Sequence, residues 1–259
     1  MGFLRVIATF TAFVFTTSAF AGHHEMPEPG IKYVLTQGFK TNNAPATATA
    51  ATKFLQSGVL GERGVGMGLY SMNASAGSAA NMFIDYYYPD SKSLPPADVG
   101  TASTPHVEFF GKMAELGNEG VYSTMFATVI ENAPAETIGV NKVFYAYFLN
   151  VTDPSSYVSA WKGLMKDLKA EGIAPTGYGL REIVAGGENN ETHMIWMGYP
   201  SMEALMDSYE KTSTSKSTAA FRETASAMRT VSRTLITSQF ASTLQRCFSG
   251  SCGAKLTSL

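Results

Sequence analysis

Asp85, His193 and Arg181 are the residues whose type and setting could do chemistry. Asp85 lies inside Met82-Phe83-Ile84-Asp85-Tyr86-Tyr87. A carboxylate among aromatics is costly to bury, and its pKa rises unless it is paired. Asp85 is therefore a candidate general base. The duller reading is a carboxylate at a strand rim, paired to a lysine, an arginine or a tyrosine hydroxyl. His193 alternates with Ile195 and Met197 and so shares their strand face. It could act as a base, a hydrogen-bond partner for substrate or a haem ligand; it could equally be a satisfied core histidine. Trp196 falls on the opposite face, where it could stack on a planar ligand or pack as core. Arg181 continues the face of Gly177 and Gly179 and could anchor an acidic ligand group or close a strand-end ion pair. Tyrosines crowd the same apolar runs, and Tyr86 and Tyr147 are the ligand-binding candidates among them. An aromatic-lined pocket suits small apolar or aromatic molecules.

Two further groups sit at the ends. Arg5, the apolar run Val6 to Phe15 and Ala19-Phe20-Ala21 have the pattern of a signal peptide. Cleavage after Ala21 would start the chain Gly22-His23-His24, where the amine, two amides and the His24 imidazole could form a square-planar site for copper(II) or nickel(II). A plain polar end is the alternative. Cys247 and Cys252 are the only cysteines. Outside the cytoplasm they are expected to form a disulfide that staples a tail. The expected location is secreted or periplasmic. Lys and Arg total 19 against 21 Asp and Glu, and losing Arg5 leaves 18 − 21 = −3. That charge is too small to steer nucleic acid. No second segment is apolar enough to span a bilayer.

The elements that must position these groups repeat. Asn81 to Pro89 and Thr192 to Pro200 each read as a buried strand ending in Tyr-Pro, 200 − 89 = 111 residues apart. Gly66-x-Gly68-Leu69 and Gly177-x-Gly179-Leu180 share the offset, 179 − 68 = 111. Between these landmarks the chain reads strand, helix, strand, strand, helix, strand, twice. The first round runs Ile31–Phe39, 44–60, 65–72, 81–88, 106–116 and 121–130, with Glu131 to Gly139 as linker. The second runs 142–151, a helix opened by Asp153-Pro154, 178–184, 192–199, a helical stretch 201–228 interrupted near Thr212 to Ser215, and 233–240. Asn43 and Asp153 are candidate N-caps. In the 106–116 helix, Val107, Phe110, Met113 and Leu116 are spaced as a buried face.

This order predicts an α+β fold of two tandem ferredoxin-like β-α-β-β-α-β units packed sheet to sheet as an intrachain α+β barrel. The expected divisions are 1–21 signal peptide, 22–133 first unit, 134–245 second unit and 246–259 tail. A lone unit would leave a bare sheet face of on the order of ten apolar side chains, each worth about 1.5–3 kcal/mol when buried. Two units in one chain remove that need for a second copy, so the protein can be monomeric.

The pattern resembles the dimeric α+β barrel superfamily. Met194-Ile195-Trp196, leading through Tyr199-Pro200-Ser201 into Glu203-Ala204-Leu205, is similar to its antibiotic-biosynthesis-monooxygenase-like branch. The resemblance implies proteins that bind haem, oxidise polyketide or quinol-type substrates, isomerise lactones, or have no known activity. Haem-degrading relatives take an axial histidine from the helix after the strand that carries Trp196, and no histidine follows His193 in this chain. His106, at the start of a first-unit helix, leaves haem open there. No cofactor is expected. Three functions follow in order: an extracytoplasmic binding protein for a small apolar or aromatic molecule, a cofactor-independent monooxygenase-like or isomerase-like enzyme, and a scaffold without a ligand.

Overall fold

The computed structural model describes residues 30–75, 78–95, 102–133 and 140–242. His23, His24, Cys247, Cys252, the signal segment and most of the linker lie outside these residues.

Among the described residues, eight strands and five α-helices follow in the order β1 (Tyr33–Lys40), α1 (Ala44–Gln56), β2 (Gly66–Ser75), β3 (Met82–Tyr88), α2 (Thr104–Glu115), β4 (Glu119–Asn132), β5 (Val143–Val151), α3 (Pro154–Ala170), β6 (Gly177–Ala185), β7 (His193–Tyr199), α4 (Met202–Thr214), α5 (Lys216–Ser226) and β8 (Arg229–Ser242). The helix starts are written locally. Asn43 Oδ1 accepts the Ala46 amide, Asp153 Oδ1 the Ser156 amide and Ser201 Oγ the Ala204 amide. Each satisfies a first-turn N–H that has no partner within its helix. Ser215 ends α4 and caps α5, which is the interruption expected near Thr212 to Ser215.

The strands close in the order β1-β3-β2-β8-β5-β7-β6-β4, all pairs antiparallel. Both halves thus use one strand order, 4-1-3-2 and 8-5-7-6. Across β2–β3 Gly68 faces Asp85, and across β6–β7 Gly179 faces Trp196. These pairs hold the same 111-residue offset, 179 − 68 and 196 − 85.

The expectation of two sheets stacked face to face needs one correction. The edges of the halves hydrogen-bond along β2–β8 and β4–β6, so one eight-stranded barrel closes. Closure satisfies backbone groups that open edges would leave unpaired.

Alternation then sorts the side chains. Leu35, Phe39, Met67, Leu69, Met82, Ile84, Tyr86 and Tyr88 pack outward under α1 and α2. Leu149, Val151, Leu180 and Ile195 pack under α3 and α5. Val34, Tyr87, Phe126, Ala146, Phe148, Met194, Trp196 and Leu235, drawn from both halves, meet inside the barrel. The buried face of α2 differs from the one expected. Phe109 and Met113 are buried, while Val107 is 60% and Phe110 47% exposed.

Candidate functional site

Two polar centres lie inside the barrel. The first is built on Asp85 of β3. Thr36 of β1, its register partner, donates its hydroxyl to Asp85 Oδ1 at 2.5 Å. Tyr87, two residues along the same face, donates to Oδ2 at 3.1 Å. The Tyr87 hydroxyl is 2.6 Å from that of Tyr70 on β2, and Gln239 Nε2 on β8 donates to Tyr70 at 3.3 Å. A run of donors therefore crosses the seam between the halves and ends on one carboxyl.

Arg181 of β6 joins this centre from the other half. Its guanidinium lies over the Tyr87 ring at 5.9 Å and the Trp196 ring at 5.6 Å. Its NH2 is 3.6 Å from Glu131 Oε2, an ion-pair contact too long for a hydrogen bond. Burial pushes the Asp85 carboxyl above its usual range, against the pull of Arg181, Thr36 and Tyr87. Glu131 is likewise pushed up by burial and pulled down by Arg181. Thr128 Oγ1, Glu131 Oε2, Arg181 Nε and Trp196 Nε1 are buried without a hydrogen-bond partner. Thr128 faces Arg181 and Glu131 faces Gly179 in the β4–β6 register, so these atoms share one region. Aromatic rings bridge the interior beside it: Phe83–Tyr70 at 4.8 Å, Tyr70–Phe144 at 5.5 Å and Phe144–Trp196 at 6.1 Å between centroids.

The second centre is Arg233 of β8. Its Nε is 2.9 Å and its NH2 3.2 Å from the two oxygens of Glu191, and its NH1 is 2.9 Å from Glu188. The guanidinium sits 4.0 Å over the Phe148 ring and 5.6 Å from that of Tyr122. Both glutamates come from the β6–β7 connection, so this centre fastens that loop to the barrel wall.

Of the residues singled out in the sequence, the fold brings Asp85, Arg181 and Trp196 together. It does not bring His193, Tyr86 or Tyr147 to them. Tyr86 and Tyr147 pack under the helices. The residue of the Tyr86-Tyr87 pair that faces inward is Tyr87, as its two-residue spacing from Asp85 required. Glu131, read as the first residue of a linker, belongs to β4. A bulge between Thr128 and Ile130 turns it inward. Tyr70 and Gln239 had no local signal; the barrel alone places them.

His193 is 4% exposed on the helix-facing side, with Nδ1 2.9 Å from Thr192 Oγ1. Burial pushes its pKa down to about 4. The native state then binds fewer protons than the unfolded chain between pH ~6.5 and ~4, so stability is full above that window and falls as pH drops through it. The loss is expected to reach about 3 kcal/mol at most. Urea unfolding at pH 7 and pH 4.5 checks it: His193→Gln should flatten the difference.

Gly179 gives a second expected result. A Cβ there would lie 2.2 Å from Trp196 Nε1 and 2.9 Å from the Ile130 carbonyl oxygen. Gly179→Ala is expected to cost about 1–3 kcal/mol and to shift Trp196 fluorescence, because the indole must move off the strand.

The fold is an α+β barrel with the ferredoxin-like strand order in each half. No protein-family model matches the sequence, and no curated protein matches it. Solved structures do. A monooxygenase candidate from Lactobacillus acidophilus is 12% identical, with a TM-score of 0.55 over 87% of this chain and 98% of that one. A second monooxygenase candidate, from Fusobacterium nucleatum, is 11% identical, with a TM-score of 0.57 over 88% and 96%. An anthrone oxidase-like protein is 11% identical, with a TM-score of 0.52 over 88% and 97%. Likeness at these identities concerns the fold.

Among the described residues the histidines are His193, on the helix-facing side, and His106, which contacts Phe54 of α1 edge-on at 4.8 Å and Ser103 at 2.8 Å. These residues do not fit an axial ligand inside the barrel, and no step is routed through haem.

Proposed function

We propose that the barrel acts, without a tightly bound cofactor, on a small planar aromatic molecule carrying an acidic O–H or C–H. Asp85 takes the proton and Arg181 faces the anion that results. The observation that carries this reading is the buried Asp85, held by Thr36 and Tyr87 and fed by a donor run from both halves. A carboxyl desolvated to this degree is a stronger base than one in water. Arg181 supplies a fixed positive charge where negative charge develops. Tyr87, Phe144 and Trp196 offer aromatic faces. The electron-rich anion can then pass electrons to dioxygen, a monooxygenase-like outcome in keeping with the likeness to monooxygenase candidates and to an anthrone oxidase-like protein. The leader-like start of the sequence supports an extracytoplasmic site of action, and the shared strand order supports tandem duplication of one unit.

The ring-to-ring contacts across the interior favour a second reading: the strands bury one another and nothing enters. Dioxygen uptake with hydroxylated anthrones and naphthols separates the two, alongside calorimetric binding of the same compounds. Uptake that is lost in Asp85→Asn while binding persists supports the enzyme. Binding without uptake leaves a carrier, and neither leaves a scaffold.

A further inference from the structure

We infer that the two buried carboxyls beside Arg181 divide the labour of proton transfer, Asp85 standing as the carboxylate and Glu131 as the carboxylic acid. The inference rests on the reading of the barrel as an enzyme and extends it to a proton donor that the sequence did not reveal.

Charge comes first. Arg181 is the cation facing both carboxyls: it lies 3.6 Å from Glu131 and pulls on Asp85, with its Cζ over the Tyr87 ring of β3 and the Trp196 ring of β7. Two anions against one cation would bury an unpaired negative charge, which a dry interior resists by keeping one proton. Hydrogen bonding then decides where that proton sits. Both Asp85 oxygens accept hydroxyl donors, from Thr36 at 2.5 Å and Tyr87 at 3.1 Å. Tyr87 spends its one hydroxyl proton on Asp85, so Tyr70 donates to Tyr87 and Gln239 Nε2 donates to Tyr70. Every dipole in this run points its positive end at Asp85 and favours the ionised form. Glu131 Oε2 has no partner at hydrogen-bond distance; what favours its ionised form is the 3.6 Å contact to Arg181 and the more distant Trp196 indole N–H, fewer and weaker donors than Asp85 has. It is the cheaper place to store the proton.

The neighbours of Glu131 then acquire a use. Trp196 Nε1, Thr128 Oγ1 and Arg181 Nε are buried without partners. Together with a protonated Glu131 they put unused donors on neighbouring positions of β4, β6 and β7, where a substrate oxygen would find them. The class of substrate this fits is an enolisable ring ketone. Asp85 takes the α C–H proton, the C–H electron pair forms the new C=C bond, the carbonyl π pair moves onto oxygen, and Glu131 gives that oxygen its proton. Asp85 is left protonated and Glu131 ionised, so the charge around Arg181 is the same before and after. Solvent exchange between turnovers restores the resting pair. No oxidant is consumed in this step.

Infrared spectroscopy of the whole protein tests the assignment without any ligand. At neutral pH a protonated-carboxyl C=O band, recognised by its downshift in D2O, should be present. It should move to lower frequency in protein grown with side-chain 13C-labelled glutamate and stay put with labelled aspartate. It should vanish in Glu131→Gln and survive in Glu119→Gln. Absence of the band, its movement with labelled aspartate, or its survival in Glu131→Gln overturns the inference. Failure of every anthrone to react or bind overturns the enzyme reading but leaves the band where it is, so the two failures are told apart.

Discussion

Arg233→Met is expected to lower the free energy of unfolding by about 3–5 kcal/mol. Denaturant titration followed by tryptophan fluorescence measures it. The reason is the partner left behind. The Glu191 side chain is fully buried and Arg233 is 3% exposed, with two hydrogen bonds at 2.9 and 3.2 Å between them. Glu188 makes a third contact at 2.9 Å but is 31% exposed, so water can take over its needs. Methionine keeps the contact with Phe148 and Tyr122 but strands the Glu191 carboxylate. That carboxylate must then ionise in a dry site, take up a proton or pull the loop open. Glu188→Gln should cost little, about 1 kcal/mol or less, because an exposed ion pair is screened. The double variant Arg233→Met/Glu191→Leu should regain part of the loss, since removing both members leaves no buried charge. Equal losses for Glu188→Gln and Arg233→Met would show that the three-way pair does not fasten the loop.

Asp85→Asn is expected to lower turnover at least ~100-fold while changing substrate affinity less than severalfold. Asparagine keeps the size of the side chain and can still accept from Thr36, so binding surfaces persist. What disappears is the ability to accept a proton. The pH profile adds a second readout. In the proposed reaction Asp85 works as the carboxylate, and burial has raised its pKa against the pull of Arg181, Thr36 and Tyr87. Turnover should therefore rise with pH through a value above the ordinary carboxylate range and level off beyond it. Tyr70→Phe breaks the donor run at 2.6 Å from Tyr87. It should move that acid limb further up, because one dipole favouring the anion is gone. Wild-type turnover in Asp85→Asn removes Asp85 as the base and leaves the barrel as a binder.

The comparison of sequence and structure turns on what strand alternation can and cannot carry. The 111-residue spacing, the caps at Asn43 and Asp153 and the apolar periods gave every strand and helix in order, because these are local features. Asp85, Arg181 and Trp196 were also legible. A charged group or a large polar aromatic inside an apolar strand marks itself. The identity of the inward face was not legible. Asp85-Tyr86-Tyr87 is apolar on both sides, since helices cover one face and the barrel the other. Alternation ties Tyr87, not Tyr86, to the face of Asp85; which of the two faces points inward, only the closed sheet resolves.

By itself, then, the sequence determined the order of elements, the ferredoxin-like halves and which polar residues stand inside apolar strands. Tertiary structure decided that the halves join edge to edge, that His193 and Tyr147 face the helices, and that Glu131 faces Arg181. The physical reason is register. The β4 bulge between Thr128 and Ile130 changes which residues face inward by one position. That turns a residue beyond the apolar run toward the barrel interior, and nothing within a few residues of Glu131 announces it. The donors Tyr70 and Gln239 are 169 residues apart in the chain and meet only because β2 pairs with β8.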